Sequence, residues 1–256
     1  MSGLDSDVKL LLHCNGDDES TELPDASDSN HTVTAHGNAQ IDTAQKKFGT
    51  GSILLNGTTD YLTTDDTSDW DFGTSPFTID GWVRYNSIGN YDRLVSAGSY
   101  ASGANQMWFV GAGNGWGSST EMNFGYYNGS GFTEYYAGST FTANLNTWYH
   151  WALVRNGQYV YCFFNGVKVI TWDMGSAVAI NSGTGLIIGA RYFATTSTIN
   201  EYLDGWLDEI RVSKGVARWT SNFTPPTEEY TRDVTTNYLK QYRRTRFPGL
   251  IHGVDV

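Results

Sequence analysis

The 256-residue chain is 39% hydrophobic, 17% charged and 14% aromatic, with 9 Trp, 16 Tyr and 12 Phe. That composition excludes a disordered or highly charged polymer and leaves an aromatic-rich globule. A formal charge of −11 disfavours nucleic acid as a partner, since every phosphate of a duplex is negative. No apolar run reaches the ~18 residues of a membrane-spanning helix. Met1 to Asp7 lacks the basic start and apolar stretch of a secretory signal, so neither a membrane nor an export route is expected.

Helical periodicity is almost absent, while period-2 stretches bounded by Gly, Asn, Asp and Ser recur throughout. The strands predicted in chain order are Val8 to His13, Ser52 to Leu55, Phe77 to Tyr85, Arg93 to Ala97 and Gln106 to Val110. They continue with Glu121 to Tyr127, Trp148 to Arg155, Tyr159 to Phe164, Leu186 to Ala190 and Gly205 to Ser213. Ten short strands, 29 Gly and only 5 Pro indicate an all-β sandwich or jelly roll with many tight turns. Asn156-Gly157-Gln158 predicts a hairpin, because Asn-Gly readily adopts the positive φ such turns require. In the strand that follows, Val160, Cys162 and Phe164 share one face and Tyr159, Tyr161 and Phe163 the other. Cys162 therefore sits among apolar neighbours, and it and Cys14, far apart and without CxxC spacing, are expected as buried free thiols.

Nucleophilic chemistry has little support. No Gly-x-Ser-x-Gly occurs, and neither cysteine has a basic neighbour or helix start to lower its pKa. The five histidines, His13, His31, His36, His150 and His252, show no paired metal-ligand spacing, and His150 reads as a hydrogen-bonded sheet residue. Sequons at Asn30, Asn56, Asn128 and Asn222 are ascribed to chance in an Asn- and Thr-rich chain. No internal repeat or linker divides residues 1–229, which are expected to form one domain. Residues 230–256 carry five basic side chains (Arg232, Lys240, Arg243, Arg244, Arg246) against Asp233 and Asp255, a net +3 that opposes the acidic remainder. With Tyr238 and Tyr242 this reads as an extended docking arm, the alternative being a tail folded back on its own domain.

Phe77-Thr78-Ile79-Asp80-Gly81-Trp82-Val83-Arg84, Trp148 to Arg155, Phe164-Asn165-Gly166-Val167 and Leu203 to Ser213 together resemble laminin-G-like domains of the concanavalin A-like lectin/glucanase superfamily. Ser213-Lys214-Gly215-Val216-Ala217-Arg218-Trp219-Thr220-Ser221-Asn222-Phe223-Thr224-Pro225-Pro226 is similar to a closing segment of such domains in tailed-bacteriophage virion proteins. The resemblance implies a jelly roll of two curved antiparallel sheets used for carbohydrate binding, adhesion or particle assembly. Hydrolytic relatives carry a Glu-x-Asp-x-x-Glu-like strand, which supplies the acid and nucleophile of retaining hydrolysis. This chain has none, so it is not expected to be an enzyme. Relatives often bind one structural calcium, and the positions similar to its ligands are Asn15, the loop from Asp25 to Asn30, and Asp208. Asn15 stands where Asp is commoner, and an acidic loop held by Asx turns is the competing reading.

For glycans, the densest aromatic stretch offers Trp108, Trp116, Tyr127 and Tyr135 as stacking rings and Asn123 as a hydroxyl partner. By parity Met122, Phe124 and Tyr126 face the core, while Asn123 and Tyr127 face outward. The same rings would also serve as core or as an interface. The leading expectation is a non-enzymatic structural protein at the virion surface of a tailed bacteriophage, made in the host cytoplasm, as a capsid decoration or tail (fibre) component. Tyr238, Tyr242, Arg243, Arg244 and Arg246 would dock it to a major capsid or tail protein. Host or environmental glycans are its second class of partner, and a homo-oligomer would suit the setting although no residue demands it. The alternative is a carbohydrate-binding or adhesin module not built into a particle.

Overall fold

The computed structural model describes residues 3–65, 67–89, 91–98, 106–112, 121–128, 131–137, 143–176, 178–193 and 195–232. Within them the chain is all-β. The strands are β1 (Val8–Leu12), β2 (Val33–His36), β3 (Gln40–Asp42), β4 (Ser52–Asn56), β5 (Tyr61–Thr64), β6 (Phe77–Tyr85), β7 (Asp92–Gly98), β8 (Gln106–Ala112) and β9 (Met122–Asn128). They are followed by β10 (Phe132–Tyr136), β11 (Trp148–Asn156), β12 (Tyr159–Phe164), β13 (Val167–Asp173), β14 (Leu186–Ile188), β15 (Arg191–Phe193), β16 (Thr198–Asn200) and β17 (Asp204–Lys214). One 3₁₀ turn, Ser68–Trp70, is capped by the Thr67 hydroxyl. No helix of the described residues is long and apolar enough to cross a membrane.

Two large antiparallel sheets pack as a sandwich. One runs β13-β12-β11-β6-β17-β4-β3, with β1 also paired to β17; the other runs β10-β9-β8-β7-β14-β5-β2. A small ribbon, β15-β16, lies outside both. All ten predicted strands are present within a residue or two of their expected limits. The others were not predicted because they are short or carry weak alternation, as in β13, where Trp172 alone of Val167–Asp173 is buried.

Side-chain alternation builds the core. Phe77, Ile79, Val83 and Tyr85 of β6, Tyr149, Trp151 and Leu153 of β11, and Leu207, Ile210 and Val212 of β17 point into one continuous apolar cluster with Trp108, Val110, Met122 and Phe124 of the opposite sheet. Val160, Cys162 and Phe164 join this core, whereas Phe163 lies in a second cluster on the outer face, in agreement with the predicted parity. Both cysteines are buried and free.

Three features differ from expectation. Asn156 pairs with Tyr159 as the last rung of the hairpin, so the loop is Gly157-Gln158, and the positive φ (62°) falls on Gly157 rather than on Asn156. In β17 a bulge at Glu209, φ 50°, interrupts the alternation, so that Asp208 opposite Trp82 and Arg211 opposite Asp80 share the outer face. The domain also extends beyond residue 229: Tyr230 is buried, and Arg232 bridges to Leu4 and pairs with Asp28. An arm counted from residue 230 therefore begins too early. The chain is pinned as far as Arg232.

Candidate functional site

At one end of the sandwich the β2–β3 turn, the β4–β5 turn, the end of β6 and the start of β17 converge on an open cleft of about 450 Å³. Its apolar wall is Trp206 with its cross-strand neighbour Leu54, both partly exposed. The indole is fixed in place: Nε1 donates to Asp42 Oδ2 at 2.7 Å, and the Arg84 guanidinium lies 4.6 Å from the ring. Its polar wall comes from turn residues. Asp204 accepts from Asn86 Nδ2 (3.1 and 3.2 Å) and from the Ser87 hydroxyl (2.5 Å). Asp60 accepts the Asn38 N–H (2.8 Å) and the Thr59 hydroxyl (3.0 Å) on Oδ1. Asn56 Oδ1 gathers the N–H groups of Thr58 and Thr59 in an Asx turn that sets the rim.

The predicted aromatic stretch divides differently. Trp108 is fully buried, 0% exposed, and its Nε1 donates to the Trp70 carbonyl, so it belongs to the core and cannot stack on a ligand. Asn123 does face away from that core, as parity indicated, but it too is 0% exposed. Its Oδ1 accepts from Arg93 Nη1 at 2.7 Å beneath a second, polar layer. Arg93 stacks on Phe109 at 3.9 Å and donates to Glu201 at 2.6 Å, while Arg191 of β15 lies over the same ring at 4.8 Å. Gly125, opposite Phe109, gives that ring its room: a Cβ there would come within 2.3 Å of it. Neither arginine was anticipated, because the residues that cover Asn123 come from β7 and β15, far away in sequence. Tyr127 is half-buried on this face, next to the exposed Phe132. Tyr135 instead packs inward against Trp172 and Tyr126. Trp116 lies outside the described residues, as do Tyr238, Tyr242, Arg243, Arg244 and Arg246.

The outer face of the other sheet is closed by the segment after β17. Trp219 and Phe223 stack on each other at 3.9 Å and cover Ala152, Val154 and Phe163. Beside them Asp80 pairs with Arg211 through two contacts of 3.0 and 3.1 Å and accepts the Tyr230 hydroxyl. Burial pushes the Asp80 carboxyl up, but Arg211 and His150 more than reverse this and hold it at about 2. His150 is fully buried, and that burial lowers its pKa despite the neighbouring Asp80. This is the hydrogen-bonded sheet histidine that the sequence indicated.

The residues considered for calcium hydrogen-bond to two different loops. Both carboxylate oxygens of Asp25 are engaged, by the N–H groups of Leu11, Ser27 and His31 and by the Ser27 hydroxyl. These contacts form an Asx-type cage. Asn30 is exposed at φ 51° in the same loop. Asn15 and Asp208 meet a different loop: Asn15 Oδ1 takes the Thr50 N–H, and Asp208 Oδ2 takes those of Lys47 and Phe48. Asp208 Oδ1 is buried and has no hydrogen-bond partner among the described residues, and burial raises that carboxyl to about 7. Nearby, ligand atoms of His13, Glu209 and Glu229 lie within 4.8 Å of one another. They are bound up internally, His13 Nδ1 to Glu209 at 2.6 Å, Tyr230 N–H to Glu209 at 2.8 Å, and Asn15 Nδ2 to Glu229.

The laminin G family model, described as concanavalin A-like lectin/glucanases superfamily, matches residues 56–221. No curated protein is similar to the chain in sequence. Among solved structures it is similar to domain 4 of AbnA, a GH43 extracellular arabinanase of Geobacillus stearothermophilus in complex with arabinotriose. There the TM-score is 0.58 at 16% identity over 82% of this chain and 93% of that one. It is also similar to the binding domain of Paraclostridial Mosquitocidal Protein 1 (TM-score 0.57, 16% identity, 82% of this chain and 49% of that). The ligand binding domain of botulinum neurotoxin serotype D in complex with N-acetylneuraminic acid gives a TM-score of 0.59 at 16% identity, over 84% of this chain and 49% of that one. The chain thus spans about half the length of the toxin domains it resembles, and at these identities the likeness establishes a shared fold.

Proposed function

Because the chain belongs to the concanavalin A-like lectin/glucanase superfamily, we propose that it is a non-catalytic glycan-binding domain displayed on the particle surface of a tailed bacteriophage, as a capsid decoration or tail component. The observation that carries the glycan-binding part is the cleft at Trp206, where a fixed, partly exposed indole faces amides and carboxylates already held in place by turn hydrogen bonds. Sugars present apolar C–H faces and hydroxyls that both donate and accept, and such a cleft meets both without reorganising. Structural relatives crystallised with arabinotriose and N-acetylneuraminic acid support the same reading. The lack of a Glu-x-Asp-x-x-Glu strand favours binding over hydrolysis.

The particle role rests on the segment Ser213 to Pro226 and on the basic residues after Tyr230. The segment is built into the sandwich through Trp219 and Phe223, and the chain reaches Arg232 beside Leu4. Residues 233–256 then follow, with Arg243, Arg244 and Arg246 suited to acidic surfaces of a capsid or tail protein. Imaging purified particles at side-chain resolution tests this: the chain is expected on the particle with its last 24 residues against a major structural protein. Absence from particles would contradict that role. A second reading, a carbohydrate-binding or adhesin module independent of any particle, is favoured by the similar structures, which are toxin binding domains and a domain of an arabinanase.

A further inference from the structure

We infer that the cleft at Trp206 takes an uncharged sugar and discriminates against acidic ones. The inference rests on the glycan-binding reading and specifies its ligand class. Trp206 and Leu54 form an apolar floor on which a sugar ring can lie, and the contacts from Asp42 and Arg84 stop the indole from turning away. Above it, the side-chain amides of Asn38 and Gln40 make no hydrogen bond among the described residues, although both line the cleft. Each therefore offers a hydroxyl one acceptor and two donor hydrogens.

The carboxylates complete the pattern. Asp60 is only 1% exposed; its Oδ1 is occupied by Asn38 N and Thr59 Oγ1, while no donor among the described residues reaches Oδ2. A carboxylate oxygen of a cleft-lining residue that no protein donor reaches is a strong acceptor for a ligand hydroxyl, and the bond is charge-assisted. Asp204, tied to Asn86 and Ser87, keeps further acceptor capacity, and Asn86 Oδ1 remains available beside it.

Charge sets the selectivity. The lining holds two carboxylates and no Lys, Arg or His; the nearest guanidinium, Arg84, is held against the Trp206 indole and is outnumbered by Asp42, Asp60 and Asp204, so a uronate, sialate or sulfate group would enter against a net negative charge. The buried guanidinium groups of Arg93, on the opposite sheet, and Arg191, on the β15-β16 ribbon, are paired with Glu201 and do not line the cleft. Hydroxyls are thus the groups this cleft reads.

The full chain should be applied to an immobilised panel of neutral, uronate-bearing, sialylated and sulfated oligosaccharides, together with the variants Trp206→Ala and Asn38→Ala/Gln40→Ala. The expected result is retention on neutral glycans at least tenfold stronger than on acidic ones, and loss of at least tenfold in both variants. The amide variant, whose substituted side chains support no other group, should keep the wild-type melting temperature, so its loss cannot be ascribed to unfolding. Preference for acidic glycans, or neutral binding that survives both variants, would overturn the assignment to this cleft while leaving glycan binding standing. Retention on no glycan at all would overturn the glycan-binding reading itself.

Discussion

The carboxylate of Asp80 and the guanidinium of Arg211 face each other across β6 and β17 in a two-point ion pair, Nε to Oδ1 at 3.0 Å and Nη2 to Oδ2 at 3.1 Å, with both side chains out of solvent. Arg211 also donates to the Gly3 carbonyl at 2.7 Å and lies 3.7 Å from the Tyr230 ring. One pair thereby ties the first residues, the sheet and the closing segment together. Asp80→Asn leaves the Arg211 charge buried and unpaired, and should cost about 3–5 kcal/mol in urea unfolding.

The same carboxylate fixes the acid limit of the fold. Its folded pKa, about 2, is below the ~3.9 of an unfolded aspartate, so its contribution is fully present above pH 4 and is lost as pH falls toward 2. The shift corresponds to about 2 kcal/mol. Wild-type stability should fall across that window by about this amount, and Asp80→Asn should lack that part of the slope.

Asp92 works in the opposite direction. Burial raises its carboxyl to about 7, only partly offset by the Gly89 N–H that it accepts at 2.9 Å. With the folded value above the unfolded one, stability is greatest below pH 4 and declines as pH rises through 7. Asp92→Asn, which imitates the protonated acid and keeps an acceptor for Gly89, should stabilise the protein at pH 8 by about 1–3 kcal/mol and leave it unchanged at pH 4, as thermal melts at the two pH values would reveal.

Much of the fold was legible because its strands alternate cleanly. β6 carries Phe77, Ile79, Val83 and Tyr85 on one parity and Thr78, Asp80, Trp82 and Arg84 on the other, β12 sets Val160, Cys162 and Phe164 against Tyr159, Tyr161 and Phe163, and local periodicity needs no knowledge of partners. The site was not legible for the converse reason. Asn38, Asp60, Asn86 and Trp206 are isolated turn or strand-end residues brought together only by the sandwich closing. Each alone reads as ordinary turn chemistry, and Asp204-Gly205-Trp206 stands in the sequence as part of a family pattern with no sign of a binding surface. Trp108 and Asn123 show a related limit. Parity assigns a face but not its cover, and the second layer of Arg93, Phe109 and Arg191 buries what would otherwise be an outer surface. The bulge at Glu209 likewise puts Asp208 and Arg211 on one face, against the alternation that their three-residue spacing implies.

Trp108 offers a check on that distinction. As a fully buried ring in contact with Phe72, it should behave as a packing residue, with Trp108→Ala costing about 3–5 kcal/mol by urea unfolding. Tyr127→Phe, by contrast, should leave glycan retention near wild type. A glycan-specific defect in either variant at preserved stability would return the aromatic stretch to consideration as the binding surface.

Fluorine NMR of the full chain labelled with 5-fluorotryptophan tests the central claim most directly. The nine tryptophans give separate signals, and Trp206→Phe identifies the one of interest. Titration with neutral oligosaccharides is predicted to shift the Trp206 resonance saturably and to leave that of buried Trp108 in place. A Trp206 signal that stays fixed while another tryptophan moves, or nine signals that all stay fixed across the neutral panel, would contradict the account.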